Sequence, residues 1–216
     1  MQVYSIFKSL DGEVNQWGQG TPSVFLRLAG CNLACPYCDA AYARDPLSGK
    51  FWTVAEVEEA ILAHRCNKVT ITGGEPLLQQ GELSVLCQSL SKNDIRMSIE
   101  TNGTKMPLDC FIFDPKVSLV MDYKLDQWDS MDSEAFACLG NTDWVKFVVG
   151  DEADFSCALD VIDRLKSTNP SSWRVAIGTK WGLLANGILA EWILESGRDI
   201  ALNTQLHKLI GLKESQ

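Results

Sequence analysis

Short apolar runs alternate with longer amphipathic stretches along this chain. Runs rich in β-branched residues predict strands, and apolar residues that recur every three or four positions predict helices. Strands are predicted at 23–29, 68–72, 96–101, 119–123, 144–149, 174–177 and 200–202. Helices are predicted at 53–64, 82–90, 153–165 and 186–195.

The order of these elements predicts the fold class. Thr53 and Glu56 have the spacing of a capping box at the start of the first helix. Strand–helix alternation implies parallel strands joined by right-handed crossovers. A complete eightfold barrel takes roughly 250 residues. Six or seven such units in 216 residues therefore predict one α/β domain over 1–216, a partial, open (β/α) barrel.

Polar motifs follow three of the predicted strands. Cys31 follows the first strand, Gly73-Gly74-Glu75-Pro76 follows the second, and Thr101-Asn102-Gly103 follows the third. The active site of a (β/α) barrel lies at the C-terminal ends of its strands. Three motifs at equivalent positions therefore predict one shared site at that end of the barrel.

Composition narrows the functional classes. The net charge of −9 and the pI of about 4.7 argue against broad nucleic-acid binding, which needs a basic surface. The sequence has no apolar run long enough for a membrane-spanning helix, and its first residues are too polar for a secretory signal. We therefore expect a cytoplasmic protein without nucleic-acid or membrane partners.

Eight cysteines in a cytoplasmic protein need an explanation, because a reducing compartment disfavours disulfides. Five of them are scattered through periodic apolar segments and are interpreted as small buried side chains. The scattered cysteines are Cys66, Cys87, Cys110, Cys138 and Cys157.

The other three, Cys31, Cys35 and Cys38, form a CxxxCxxC motif in a predicted cluster loop at about 31–50. Thiolates favour iron–sulfur clusters, zinc or copper(I). Structural zinc and electron-transfer clusters both want four ligands, and neither His64 nor His207 is placed to complete a zinc finger. Three cysteines on a 4Fe–4S cluster leave one iron open, and an open metal position indicates chemistry.

This spacing, with Tyr37 before the last cysteine, resembles the radical S-adenosylmethionine (SAM) superfamily. Over 6–208 the chain more narrowly resembles the 7-carboxy-7-deazaguanine synthase family of queuosine and deazapurine biosynthesis. The narrower resemblance rests on IFKSLDGE at 6–13, on the 22–27 run before Gly30-Cys31, and on QLHKL near the C-terminus.

The resemblance implies a reaction. In this family one-electron reduction of the cluster cleaves SAM bound to the open iron. The resulting 5′-deoxyadenosyl radical takes hydrogen from C6 of 6-carboxy-5,6,7,8-tetrahydropterin, whose ring contracts to 7-carboxy-7-deazaguanine with loss of ammonia. The implied enzyme is a carbon–nitrogen lyase in which the cofactors carry the hard step and no side chain is assigned as catalytic.

The resemblance also implies site residues. An arginine fork at Arg27 suits a carboxylate such as that of the pterin, and bare backbone at Gly73-Gly74 suits close approach of the cofactor. The substrate-binding residues are expected to be Leu10, Asp11, Gly12, Glu13, Arg27 and Thr72. The cofactor-binding residues are expected to be Tyr37, Cys38, Asp39, Gly74, Glu75, Glu100, Asn102, Asp114, Lys116 and Gln205.

The chain departs from the family pattern at three positions. Asp11 stands where the family usually has Gln, and Val14 where it has Gly. Ala40 replaces a Thr or Ser whose hydroxyl helps to hold Mg²⁺. Because magnesium wants oxygen ligands, a role for Mg²⁺ is doubtful, and we predict weak or absent dependence on it.

Two other functions fit the cysteine motif. A radical SAM activase of a glycyl-radical enzyme would share the cluster and the cofactor, and a non-catalytic metal-binding domain would share the cysteines alone. The resemblance further implies a homodimer and an electron donor such as flavodoxin.

Overall fold

The computed structural model describes residues 1–169 and 173–211, so the last five residues of the predicted domain lie outside the described residues. The described strands form a nine-stranded sheet in the order β3-β1-β2-β4-β5-β6-β7-β8-β9. They are β1 (Gln2–Leu10), β2 (Pro22–Leu28), β3 (Lys50–Phe51), β4 (Lys68–Gly73), β5 (Arg96–Thr101), β6 (Val117–Asp122), β7 (Trp144–Val149), β8 (Arg174–Thr179) and β9 (Ala201–Asn203).

The sheet confirms the predicted open barrel. Strands β2 and β4 to β9 run parallel, and β3 and β9 are the two edges of the sheet, which does not close. The strands that the sequence predicted are thus parallel as expected, and two strands that it did not predict extend the sheet: β1 pairs antiparallel with β2, and β3 pairs antiparallel with β1. The apolar patterns of β1 and β3 are weak, and both strands are defined by pairing with other strands rather than by their own sequence.

Helices connect the parallel strands. Thr53 caps the first of them, where the predicted capping box with Glu56 is present. No helix within the described ranges is long and apolar enough to cross a membrane. The helices are α1 (Val54–Ala63), α2 (Gln80–Lys92), α3 (Asp109–Ile112), α4 (Ser133–Ala137), α5 (Glu152–Thr168), α6 (Asn186–Ser196) and α7 (Leu206–Leu209).

The two faces of the sheet differ in polarity. Side chains such as Leu26, Ile71 and Phe147 are fully buried in the main core, which also contains apolar residues of α1, α2, α5 and α6. Alternate positions of the same strands carry polar residues, because successive side chains point to opposite faces. Two of these, Arg27 and Lys146, line an internal cavity.

The loop between β1 and β2 fills the inner face at the N-terminal ends of the strands. The indole N–H of Trp17 donates to the carbonyl of Met97 at 3.4 Å, and the Lys68 ammonium donates to the carbonyl of Gly18 at 3.1 Å. Val14 packs in a small apolar cluster with Trp144. This loop therefore plugs one end of the half-barrel and leaves the cavity at the other.

Candidate active site at the open end of the barrel

The three clustered cysteines line this cavity, beside the C-terminal ends of the parallel strands. Cys31 follows β2 and is half-buried, Cys35 is buried, and Cys38 is exposed. The Cys31 N–H donates to the carbonyl of Arg44 at 2.9 Å, which fixes the start of the loop. The chain thus presents three thiols from one short segment to one space.

The donor set fits a 4Fe–4S cluster better than a single metal ion. In the described ranges no group of three or more His, Cys, Asp or Glu side chains could hold one ion. A cluster binds each cysteine through a different iron, so its ligands stand further apart. The remaining five cysteines, all within the described ranges, do not line the cavity. One iron is therefore left without a protein sulfur.

Hydrogen-bond donors surround the sulfur of Cys31. The N–H of Leu33 donates to Sγ at 3.5 Å, and Nδ2 of Asn102 lies 3.8 Å from the same atom. Burial raises the pKa of the Cys31 and Cys35 thiols. Donors to sulfur and burial are two of the means by which proteins tune an iron–sulfur cluster.

Gly73 and Gly74 pack directly against the backbone that leads into the cluster loop. A Cβ on Gly74 would lie 1.9 Å from the carbonyl oxygen of Gly30, and Gly73 adopts a φ of +127° with Leu28 beside it. The Gly74 N–H donates to the carbonyl of Leu28 at 2.8 Å. The glycines are required by this close contact within the chain, while Gly74 also lines the cavity.

The Glu75 carboxylate is buried at the turn after β4 and does not line the cavity. The carboxylate is 1 % exposed and accepts hydrogen bonds from the Thr101 hydroxyl at 2.7 Å, the Asn102 N–H at 2.6 Å and the Leu77 N–H at 2.9 Å. Burial raises its pKa. Glu75 therefore ties the turn after β4 to the end of β5.

A network of buried charges forms the floor of the cavity. The Lys146 ammonium makes ion pairs with Glu13 and with Asp122, the latter at 3.1 Å. Lys124 pairs with the other oxygen of Asp122 at 2.7 Å. Burial disfavours the charge of Lys146, yet the neighbouring carboxylates raise its pKa well above the usual value. The floor therefore keeps its ammonium groups charged.

Glu100 differs from the other carboxylates of the floor. It accepts a hydrogen bond from the Thr72 hydroxyl at 2.8 Å, and both residues line the cavity. Burial, with the nearby charge of Glu13, raises the pKa of Glu100 to about 8. At neutral pH the cavity thus contains a neutral carboxyl beside charged ones.

Arg27 and Tyr37 line two other parts of the same cavity. Arg27, on β2, is buried and lies over the ring of Tyr42 at 5.6 Å. The Tyr37 hydroxyl donates to Asp126 at 2.9 Å, and the Lys180 ammonium lies 5.0 Å from its ring centre. Hydrogen bonding and cation–π contact fix the Tyr37 ring beside the cysteines.

The N-terminal segment contributes unequally to the site. Leu10, Gly12 and Glu13 line the cavity with Asp11, but the Asp11 carboxylate is 1 % exposed and turned to the plugged end. It accepts from the Thr70 hydroxyl at 2.8 Å and pairs with Lys68 at 2.9 Å. The Asp11 carboxylate is therefore satisfied by donors of the chain itself, while the residue still borders the cavity.

Asp114 and Lys116 lie at the wrong end of the sheet for the predicted cofactor contact. Both precede β6, whose C-terminal end reaches the cavity. Lys116 pairs with Asp94 at 2.7 Å and donates to the carbonyl of Ser91 at 2.9 Å. A six-residue strand spans roughly 17 to 20 Å, so these side chains cannot reach the cysteines.

Residues of α7, with Gln205 before it, contact the cluster loop. Nε2 of Gln205 donates to the Asp39 carboxylate at 3.1 Å, and the Lys208 ammonium lies 3.2 Å from the same oxygen. His207 packs on Gly12, where a Cβ would lie 2.4 Å from its Nδ1. Asp39 and Gln205, both expected to bind the cofactor, are therefore brought together and hydrogen-bond to each other.

Sequence comparison places these features in a family. A model of the radical SAM superfamily matches residues 26–177. The 7-carboxy-7-deazaguanine synthase of Methanospirillum hungatei is 38 % identical to this chain, over 98 % of the chain and 86 % of that protein. The synthase of Clostridium acetobutylicum is 33 % identical over 97 % and 95 %. The chain belongs to the 7-carboxy-7-deazaguanine synthase family.

The same architecture occurs in a solved structure. The crystal structure of QueE from Escherichia coli matches 95 % of this chain and 94 % of its own, with a TM-score of 0.74 and 21 % sequence identity. At this identity the match shows the shared fold. As a member of the radical SAM superfamily, the chain uses a 4Fe–4S cluster and SAM, and its cysteines fit that cluster.

Sequence reasoning missed four charged residues of this synthase-family site. Asp122 and Lys124 lie at the end of β6, Lys146 lies within β7, and Lys180 follows β8. Lys146 interrupts the apolar strand WVKFVV, and a buried lysine in such a strand indicates a functional or paired charge. The Asp122-Tyr123-Lys124 sequence stands at a strand end equivalent to those of the recognised motifs.

Proposed function

We propose that this chain is a 7-carboxy-7-deazaguanine synthase, a carbon–nitrogen lyase that contracts the ring of 6-carboxy-5,6,7,8-tetrahydropterin with loss of ammonia. One observation carries the proposal: the cavity that receives the three cysteines also contains Arg27 and the charged floor around Lys146. The relatives named for this activity match the chain over nearly its full length, which supports the same substrate.

In this proposal Cys31, Cys35 and Cys38 would hold the cluster, and its open iron would bind SAM. When bound, the cluster and SAM supply the radical chemistry that removes hydrogen from the substrate. Gly74 offers bare backbone to the cofactor, Tyr37 presents its fixed ring, and Asn102 keeps the cluster loop in place through Asn32 at 2.9 Å. Cys38 and Glu100 complete the cavity wall on this side.

The substrate lies against the floor. A buried guanidinium is a strong partner for a carboxylate, so Arg27 binds the pterin carboxylate. The aminopyrimidinone edge of a pterin presents hydrogen-bond donors and acceptors side by side. It faces the carboxyl groups of Glu13 and Glu100, which accept, and the hydroxyl of Thr72, which can donate or accept. Leu10 and Gly12 border the same space.

We further propose a cytoplasmic homodimer that receives electrons from a small donor such as flavodoxin. All eight cysteines are free thiols, which fits a reducing compartment. The electron donor has to approach the exposed side of the cluster loop, where Cys38 is accessible.

Anaerobic reconstitution with iron and sulfide, followed by turnover with SAM, a reductant and the carboxytetrahydropterin, tests the proposal. We expect a product with the mass of 7-carboxy-7-deazaguanine, and an EPR signal of the reduced cluster that shifts when SAM binds. The Cys35→Ala variant should lose both, whereas Cys157→Ala, on the exposed side of α5, should retain both.

Two results would contradict the proposal. If deoxyadenosine formed only in the presence of a protein partner, the chain would be an activase of a glycyl-radical enzyme. If the chain purified anaerobically with stoichiometric zinc and would not take up iron, it would be a metal-binding domain.

A further inference from the structure

Three side chains form a polar group where α7 meets the cluster loop: Asp39, Gln205 and Lys208. Asp39 directly follows the last cysteine of the motif. Its Oδ2 lies 3.1 Å from Nε2 of Gln205 and 3.2 Å from Nζ of Lys208. Lys208 also donates to Oε1 of Gln205 at 2.9 Å. All three line the cavity of the cysteines.

The ammonium of Lys208 is held in place rather than free on the surface. Its side chain is 22 % exposed, and Nζ lies 5.5 Å from the ring centre of Trp181. The helix that carries it is anchored, because the N–H of Leu206 donates to the carbonyl of Gly12 at 3.0 Å. A lysine fixed by an ion pair, a hydrogen bond and an aromatic ring presents a defined positive charge.

This arrangement does not fit Mg²⁺, for which the family resemblance implies a hydroxyl at position 40, directly after Asp39. Ala40 offers no side-chain oxygen, and magnesium demands close to octahedral oxygen coordination. An ammonium already faces the Asp39 oxygen that a metal would need. Two cations cannot share that oxygen closely without strong repulsion.

We infer that Lys208 takes the place of a divalent cation in this chain: its ammonium, oriented by Asp39 and Gln205, binds the carboxylate of the substrate together with Arg27. The inference rests on the proposed function, since it concerns the carboxylate of that substrate. Because the Lys208 ammonium supplies the positive charge that Mg²⁺ would otherwise supply, substrate binding does not depend on free magnesium.

Substitution of Lys208 tests the role of the ammonium. In the reconstituted enzyme Lys208→Met should raise the KM for the carboxytetrahydropterin on the order of tenfold, the effect of losing one charge-assisted hydrogen bond, with a smaller change in kcat. Lys208→Arg should restore most of the affinity, and Lys92→Met, an exposed lysine of α2, should match the wild type. An unchanged KM in Lys208→Met would overturn the inference.

Metal binding gives a readout that does not need turnover. Mn²⁺, titrated by EPR into the reconstituted protein in resin-treated buffer with SAM and the pterin present, should remain free with the wild type. The double variant Ala40→Thr/Lys208→Met, which gains a hydroxyl and loses the competing ammonium, should bind it. Tight Mn²⁺ binding by the wild type would overturn the inference.

Activity in the same resin-treated buffer separates this inference from the proposed function. Equal turnover of the wild type with and without added Mg²⁺ supports the role of Lys208, and strong stimulation by Mg²⁺ contradicts it. If the wild type does not turn over the pterin at all, the proposed function fails. The inference then fails as well, because no substrate carboxylate is left for Lys208 to bind.

Discussion

The carboxylate of Glu75 accepts the backbone N–H of Asn102 at 2.6 Å, although the two residues are 27 positions apart. The same carboxylate closes the turn after β4 through Leu77. Asn102 in turn reaches Cys31 and Asn32 of the cluster loop. One buried carboxylate therefore links the ends of β4 and β5 to the loop that binds the cluster.

Glu75→Gln should destabilise the fold and weaken cluster binding. The amide places a donor where the carboxylate received only donors, so at least one buried N–H or O–H loses its partner, at a cost of about 1–3 kcal/mol. Urea unfolding of the apo protein and iron content after reconstitution measure the two effects. Glu59→Gln, at an exposed position of α1, is the control, and equal stability of the two variants would contradict the assigned role.

Gly74→Ala should be destabilising, because its Cβ would lie 1.9 Å from the Gly30 carbonyl oxygen. We expect a loss of roughly 3 kcal/mol in the free energy of unfolding, the upper part of the usual range for overpacking. Gly187→Ala, in α6, meets nothing within 4 Å and should stabilise the protein. That gain should be about 0.5–1 kcal/mol. Thermal melts of the two apo variants should move in opposite directions, and a shared direction would count against the close contact.

Stability should depend on pH through Glu100. Its pKa rises from 4.5 to about 8 in the folded protein, so folding favours the protonated form. That contribution is complete below the unfolded pKa and is lost as the pH rises through about 8. The free energy of unfolding of the wild type should therefore fall between pH 5 and pH 8 relative to that of Glu100→Gln. A difference between the two proteins that stays constant with pH would contradict the assignment.

Lys146→Met should lower the free energy of unfolding more than the loss of a charged side chain at the surface does. It leaves Glu13 and Asp122 without their shared ammonium, and breaking a buried ion pair costs about 3–5 kcal/mol. Because the floor would also lose its geometry, turnover should fall together with stability. Lys105→Met, an exposed lysine, should change neither. Removing Glu13 and Lys146 together should cost less than the sum of the single changes, as a double-mutant cycle in urea would show.

The corrected cofactor assignment can be tested with two lysines. Lys124 lines the cavity, whereas Lys116 pairs with Asp94 at the other end of the sheet. Lys124→Met should weaken SAM binding to the reconstituted protein, and Lys116→Met should leave the dissociation constant unchanged. Equilibrium binding followed by the EPR shift measures both, and a reversed order of effects would restore the original assignment.

Strand positions were predictable where apolar periodicity is local. The bounds of β5 and β7 match the sequence prediction residue for residue, because each is a short run rich in apolar and β-branched residues. The cluster cysteines were equally predictable, since their spacing lies within one loop. The antiparallel β1 was not predicted, because its register is set by β2 and its own pattern is mixed.

The floor of the site was not predictable in the same way. Lys146 and Glu13 are 133 positions apart and meet only after the sheet has formed. The motifs also did not reveal the partners of Asp11 and Glu75, whose buried carboxylates are satisfied by the chain's own donors. A motif fixes which residue stands at a strand end, and the neighbouring polar groups decide where its side chain points.

The plug formed by the β1–β2 loop has a kinetic consequence. Trp17 and Lys68 fill the N-terminal end of the inner face, so we expect substrate and SAM to enter the cavity through the opposite end, beside the cysteines. If SAM and the substrate use the same entrance to the cavity, they cannot bind and dissociate independently. The ligand that lies deeper in the cavity must bind first and dissociate last. Steady-state kinetics should therefore show compulsory-order binding rather than random-order binding.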